Sequence, residues 1–190
     1  AASNVGQLVN VTSMASDVGV NVNTLRGWLS ILEQSYIVFL LHPYHANIRK
    51  LLVKTPKLYF YDTGLLCHLL SSKSALEMEG SGTLGSAFEN AVIAERYKHH
   101  LNAGRVPDLY FYRDSNGVEV DLLDMTDASA PQLYEVKSSR TFRKSFLKHL
   151  DSVGELLHVE PDSRSVIMRG DSTTEVNGST IWAVADWACK

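Results

Sequence analysis

Val118-Glu119-Val120-Asp121, followed by Tyr134-Glu135-Val136-Lys137, is the pair of segments whose reading decides the fold. Each is short and alternates apolar with charged residues, the pattern of a strand with two different faces. On such strands Glu119 and Asp121 lie opposite Val118, Val120 and Leu122, which are free to enter a core. Glu135 and Lys137 share one face, and Tyr134 and Val136 the other. If the two strands are neighbours, two carboxylates and an ammonium converge. That set suits metal-assisted phosphodiester hydrolysis: the carboxylates hold Mg²⁺, the cation acidifies a bound water, and the lysine offsets developing negative charge. Glu89, near the start of the preceding helix, is a further candidate carboxylate.

Working outward, Leu109–Arg113 and Val118–Leu123 read as strands of a hairpin closed by Asp114-Ser115-Asn116-Gly117, because Asn-Gly tolerates the positive φ that tight turns need. Leu133–Lys137 is the next strand. Phe88–Leu101 and Thr141–Leu157 read as helices, the latter turning Phe142, Phe146, Leu147 and Leu150 inward. Ser165–Met168 and Ile181–Val184 read as late strands, joined by a polar loop holding Asn177-Gly178.

The N-terminal part has a different character. Val11–Val20 is a short amphipathic turn closed at Gly19. Leu25, Trp28, Leu29 and Leu32 recur at helical spacing behind an N-cap at Asn21 or Asn23. Two short helices joined through glycine form the skeleton of a helix-turn-helix. The runs Tyr36–Leu41 and Lys57–Tyr61, with basic residues between them, read as two strands of a wing. Asp62-Thr63-Gly64 opens another helix. Residues 71–86 are small, polar and aperiodic, the best domain boundary in the chain. The expected organisation is therefore α/β, with domains at 1–75 and 84–190.

Bulk properties exclude several classes. Of 190 residues, 45% are apolar and 21% charged, which rules out a disordered chain. No apolar run approaches the roughly 20 residues of a membrane helix. Cys67 and Cys189 are far apart, which excludes a disulfide framework and a zinc ribbon and points to the cytoplasm. Residues 1–79 carry a net charge of +1 and residues 80–190 a net charge of −4. That balance argues against a dedicated non-specific DNA binder.

The order of motifs then becomes specific. Gly85-x-x-Phe88-Glu89-Asn90, Glu119-Val120-Asp121 and Glu135-Val136-Lys137-Ser138-Ser139 resemble the domain of unknown function (family 4143) at the C-terminus of many predicted bacterial and archaeal AAA-type ATPases. Pro43-Tyr44-x-x-Asn47 and Pro56-Lys57-Leu58-Tyr59-Phe60-Tyr61-Asp62-Thr63-Gly64-Leu65 are similar to the winged-helix region linking that domain to the ATPase. The resemblance implies a winged helix-turn-helix followed by a PD-(D/E)XK restriction-endonuclease-like mixed sheet flanked by helices. It implies Asp121 and Glu135 as Mg²⁺ ligands, Lys137 beside the attacking water, and Glu89 as the helix carboxylate. Val120 stands where the superfamily's proline would precede Asp121. The family's phosphate-binding loop has no counterpart: in Gly80-Ser81-Gly82-Thr83-Leu84-Gly85-Ser86, Ser86 occupies the lysine position and no strand precedes it. The chain reads as a fragment whose partner ATPase domain has been left out, so no ATP binding is expected.

The functional expectation is an accessory, nucleic-acid-associated region of an ATPase with a nuclease-like Mg²⁺ site. The alternative is a catalytically inactive interaction or regulatory module of the same ATPase. Arg26, Arg49, Lys50, Lys54 and Lys57 are the candidate phosphate contacts. Asn23–Glu33 carries only Arg26 as a base, too few for a groove-reading helix. Nucleic-acid binding through the wing is therefore expected to be weak, with domain pairing its main role. Glu119 reads as a solvated neighbour, Glu95 as a surface or pairing residue, and the histidines, His99-His100 included, as surface residues.

Overall fold

The computed structural model describes residues 2–45 and 53–189. Arg49 and Lys50 lie outside the described residues. Internal contacts divide the chain into two units, residues 1–42 with 54–94 and residues 43–53 with 95–190. The chain passes from one unit to the other within a helix.

The first unit opens with helices α1 (Val11–Asp17) and α2 (Val22–Gln34). Asn10 and Asn21 cap them, their side-chain oxygens accepting from Ser13 N at 3.0 Å and Thr24 N at 2.8 Å. The intervening Gly19 has φ +70°, where a side chain would be strained. Met14, Ala15, Leu25 and Leu29 are buried, but Trp28, expected on the same apolar face, stays half exposed. Strands β1 (Val38–Pro43) and β2 (Lys57–Phe60) pair antiparallel, Val38 opposite Phe60. Asp62 caps α3 (Thr63–Leu69).

Residues 71–86, expected as a linker, contain helix α4 (Ala75–Ser81). Ser74 Oγ accepts from Glu77 N at 3.2 Å, and Glu77 reaches back to Lys73 N at 2.7 Å. Ser74-x-x-Glu77 thus caps α4 in the manner of a capping box, with the carboxylate bonded to the amide one residue before the N-cap, within a composition that reads as coil. Helix α5 (Leu84–Asn102) follows Gly82, which ends α4 in the left-handed conformation. The stretch Gly80–Ser86 therefore spans a helix end and a helix start.

The second unit is a mixed sheet in the order β3-β4-β5-β6-β8-β7. The strands are β3 (Leu109–Arg113), β4 (Glu119–Asp124), β5 (Gln132–Lys137), β6 (Arg164–Met168), β7 (Thr174–Val176) and β8 (Ser179–Ala183). β3, β4 and β5 run antiparallel, and β5, β6 and β8 run parallel. Helix α6 (Leu147–Leu157) buries Leu147, Leu150 and Val153 against Tyr112, Val120, Leu123, Leu133 and Val166. A short helix, α7 (Val184–Trp187), follows β8. In the β7–β8 turn both Asn177 and Gly178 take positive φ. In the β3–β4 turn only Gly117 does, and the Asp114 carboxylate closes the loop by accepting from Asn116 N and Val118 N.

Candidate functional site

Strict alternation in β4 is broken. Tyr110 pairs with Leu123 and Tyr112 with Val120, so Asp121 and Leu122 both fall opposite Phe111. Such a bulge re-aims side chains and strengthens local twist. In consequence Val120 and Leu123 join one core cluster, in place of Val120 with Leu122 as alternation predicts. The β4–β5 pairing begins at Asp124–Gln132 and reaches Leu122–Tyr134, with no further partner toward Lys137. Where that ladder stops, Asp121 Oδ2 accepts a hydrogen bond from Val136 N at 2.8 Å. The carboxylate replaces the missing strand partner, so its position is fixed by the backbone.

Glu135 and Lys137, two apart on β5, meet through Oε1 and Nζ at 2.5 Å, and the same Nζ lies 3.7 Å from Asp121 Oδ2. One ammonium therefore touches both carboxylates. The Asp121 and Glu135 side chains are 11% and 9% exposed and Lys137 34%, so the site opens to solvent along the lysine. Glu135 Oε2 is buried without a hydrogen-bond partner among the described residues. Burial, and next the Asp121 carboxylate, push Glu135 up to about 8, with Lys137 opposing the shift only in part. A buried acceptor of that kind, beside a second carboxylate and a solvent opening, fits a hard divalent cation. Mg²⁺ usually takes only one or two carboxylates and completes its shell with water or phosphate oxygens. Among the described residues no group of three or more His, Cys, Asp or Glu side chains gathers to hold a metal.

Glu119, expected as a solvated neighbour, pairs with Arg113 at 3.2 Å. Its backbone meets His149 of α6, whose Nδ1 lies 3.2 Å from the carbonyl oxygen and 3.4 Å from the amide nitrogen. His149 was not legible as a site neighbour, since nothing local links it to β4.

Glu89 belongs to the first unit. Its Oε1 accepts from Tyr59 OH at 2.5 Å and Lys57 Nζ at 3.2 Å. Lys57, expected to face solvent and meet phosphate, is instead buried in this ion pair, its side chain only 4% exposed. The correction is physical: β2 is buried along its whole length, and Glu89 supplies the charge that Lys57 needs there. Neighbouring Asn90 is equally committed, accepting from Phe60 N at 2.7 Å and donating to Phe60 O at 3.1 Å. Arg26 and Lys54 are exposed.

At the end of β4 lies a second polar cluster that the sequence reading missed. Buried Asp124 takes Arg96 Nε at 2.5 Å, His100 Nε2 at 2.7 Å and, on its other oxygen, Thr126 N at 3.0 Å. Burial opposes the charge, but the His100 hydrogen bond, Arg96 and Thr126 outweigh it and hold Asp124 below the usual carboxylate range. His100 is therefore buried, not a surface residue. The readable signal was the i, i+4 spacing of Arg96 and His100, which puts both on one helix face. Glu95 is exposed and pairs with Lys98 at 2.5 Å. No helix among the described residues is long and apolar enough to cross a membrane.

Comparison with known proteins supplies the family. The family described as Domain of unknown function (DUF4143) matches residues 84–187, and one described as Domain of unknown function (DUF8612) matches residues 1–76. Uncharacterized protein Rv2008c of Mycobacterium tuberculosis and Uncharacterized protein Mb2031c of Mycobacterium bovis are each 33% identical over 137 residues. Each match covers 72% of this chain but 30% of the relative, so the chain spans less than a third of these proteins. No solved structure matches.

Proposed function

The chain belongs to the family described as Domain of unknown function (DUF4143), and from that premise we propose a Mg²⁺-dependent, PD-(D/E)XK-type phosphodiester hydrolase site on an accessory region of an AAA-type ATPase. The observation that carries this reading is the meeting of Asp121, Glu135 and Lys137 at the open end of the β4–β5 ladder. Asp121 and Glu135 would hold the cation. When bound, Mg²⁺ supplies charge for the phosphoryl oxygens and lowers the pKa of a coordinated water. Asp121 is preorganised for its part, because Val136 N fixes its carboxylate before any ligand arrives. Glu135 must release its proton to act as a ligand. Lys137, held between the two carboxylates and 34% exposed, would offset the charge of the attacked phosphate from the solvent side.

In this reading α1, α2 and the β1–β2 pair form a winged helix-turn-helix used for domain pairing. Glu89 acts there as the partner of Lys57 and Tyr59, not as a ligand. The ATPase setting rests on the motif resemblance and on the greater length of the mycobacterial relatives.

The test is cleavage of single-stranded, duplex and branched DNA and RNA with Mg²⁺ or Mn²⁺, by wild type, Asp121→Asn and Lys137→Ala. Cleavage by wild type alone is expected, each variant losing roughly a hundred- to thousand-fold in rate. Equal cleavage by all three identifies a contaminant. No cleavage anywhere, with all three folded, sinks the hydrolase reading in favour of a catalytically silent interaction module.

A further inference from the structure

From Val136 to Leu150 the chain carries Lys137, Arg140, Arg143, Lys144 and Lys148 and no Asp or Glu, although the whole protein has a net charge of −3. The structure shows how this segment is displayed. Ser139 Oγ donates to Thr141 O at 2.8 Å and accepts from Thr141 N at 3.1 Å, and Ser139 O accepts from Arg169 N at 3.2 Å, which holds the start of the segment against β6. Phe142 and Phe146, edge to face at 6.1 Å, pack against the core. With the aromatics turned inward, Arg140, Arg143, Lys144 and Lys148 are left exposed.

Those charges have little internal compensation. Arg140 Nη1 is 3.9 Å from Asp171, with both side chains well exposed, a pairing worth little in water. Among the described residues no carboxylate pairs with Arg143, Lys144 or Lys148. Lys148 sits in the first turn of α6, which holds no acid and where the helix dipole disfavours cations, and Lys144 lies in the short 3-10 turn, Lys144–Phe146, just before it. An external polyanion would supply the charge that these side chains lack.

Both ends of the segment adjoin the proposed cation site. Lys137, at one end, contacts Asp121 and Glu135. At the other end Lys148 precedes His149, whose ring meets the Glu119 backbone two residues before Asp121. We infer that Arg140, Arg143, Lys144 and Lys148 form the track for a nucleic acid's phosphate backbone, leading it past Asp121 and Glu135. Backbone binding is thereby assigned to this segment and not to the wing, where Lys57 is consumed by Glu89. Only the location of cleavage rests on the hydrolase reading; binding does not.

The experiment is fluorescence anisotropy in EDTA with labelled duplex DNA, single-stranded DNA and single-stranded RNA, across a salt series. The proteins are wild type, Arg143→Ala/Lys144→Ala/Lys148→Ala, Arg26→Ala/Lys54→Ala and Asp121→Asn, with polyglutamate as a non-nucleic polyanion. Wild type is expected to bind at least one nucleic acid, with a duplex slope of log K against log salt of about −3.6 for four phosphates. The triple variant should lose at least tenfold in affinity at low salt, its slope becoming shallower by about 2.7. The wing variant should stay within about twofold of wild type. The three nucleic acids distinguish DNA from RNA. Should the triple variant fail to fold, Arg143→Gln alone, at an exposed position, must make the slope shallower by about 0.9. Unchanged binding in the triple variant, no nucleic-acid binding by wild type, or equally tight binding of polyglutamate overturns the assignment. Failure of the cation site is read in a separate, EDTA-free Mn²⁺ titration, as Asp121→Asn binding Mn²⁺ like wild type while the triple variant still loses nucleic acid in EDTA.

Discussion

Asp121 Oδ2 accepts the backbone N–H of Val136 at 2.8 Å, at the point where β4 and β5 cease to pair. One carboxylate thus closes a gap in the sheet and faces the proposed cation. The two roles separate by mutation. Asp121→Ala leaves a buried amide unpaired, at about 1–3 kcal/mol, and should lower the melting temperature by several degrees. Asp121→Asn keeps an acceptor and should melt within about 2 °C of wild type while losing cation affinity. Thermal melts of both variants decide it. Equal destabilisation by Asn would mean that charge, not the acceptor, holds the fork together.

Glu135 titrates in the opposite sense to a surface carboxylate. Its folded value is raised from 4.5 to about 8, so between those values the native state keeps a proton that the unfolded chain releases. That stabilisation is complete below about pH 4.5 and is lost as pH rises through about 8. Glu135→Gln, which cannot ionise, should melt close to wild type at pH 5 and above it at pH 9. The gap should be on the order of 2 kcal/mol, or roughly 4–8 °C. A variant that is less stable at pH 9 would show that the Glu135–Lys137 pair outweighs burial.

The buried cluster around Asp124 should respond in the usual carboxylate direction. Its lowered value gives stability that is present above the ordinary carboxylate pKa and is lost as pH falls through the lowered one. Asp124→Asn strips Arg96 and His100 of their shared partner and should cost about 3–5 kcal/mol at pH 7. Urea unfolding at pH 7 and pH 3 checks this, with the difference from wild type shrinking in acid. An undiminished difference at pH 3 would show that shape, not charge, matters at this position.

Helix α6 offers a purely steric test. A Cβ on Gly154 would lie 2.1 Å from Arg164 Nε, and that guanidinium is held by Val159 O through Nε at 2.9 Å and Nη2 at 2.6 Å. Within a helix Gly→Ala ordinarily gains about 1 kcal/mol. Here Gly154→Ala should instead destabilise by about 1–3 kcal/mol, and chemical denaturation measures the sign. A gain would mean that Arg164 moves aside freely.

What was legible in the sequence followed from periodicity. The aromatic and aliphatic runs at 109–113, 118–123 and 133–137 overlap the observed strands, and the apolar spacing of 147–157 falls in α6. Features set by a neighbour were not legible. The bulge at Asp121-Leu122 exists only relative to β3, so alternation groups Leu122 with Val120, whereas Leu123 takes that place in the cluster and Leu122 is buried elsewhere. Lys57 looked like a solvent-facing base because its partner Glu89 stands 32 residues away. His100 looked like a surface residue because Asp124 is remote in sequence. Helix α4 hid in a polar stretch whose only signal was Ser74-x-x-Glu77. Of the candidate site, the Glu135–Lys137 pair was readable from strand parity. The capture of Val136 N by Asp121 was not, since it depends on where a ladder ends.

The central claim is that Asp121 and Glu135 share one divalent cation, and calorimetric titration with Mn²⁺ at pH 8 tests it most directly. Wild type should bind one Mn²⁺ per chain and release protons on binding, since Glu135 must ionise. Its affinity should fall about tenfold per pH unit below about 8, where each ion bound displaces one proton. Asp121→Asn and Glu135→Gln should each weaken binding at least tenfold while remaining folded. No Mn²⁺ binding by wild type, or undiminished binding in both variants, would contradict the account.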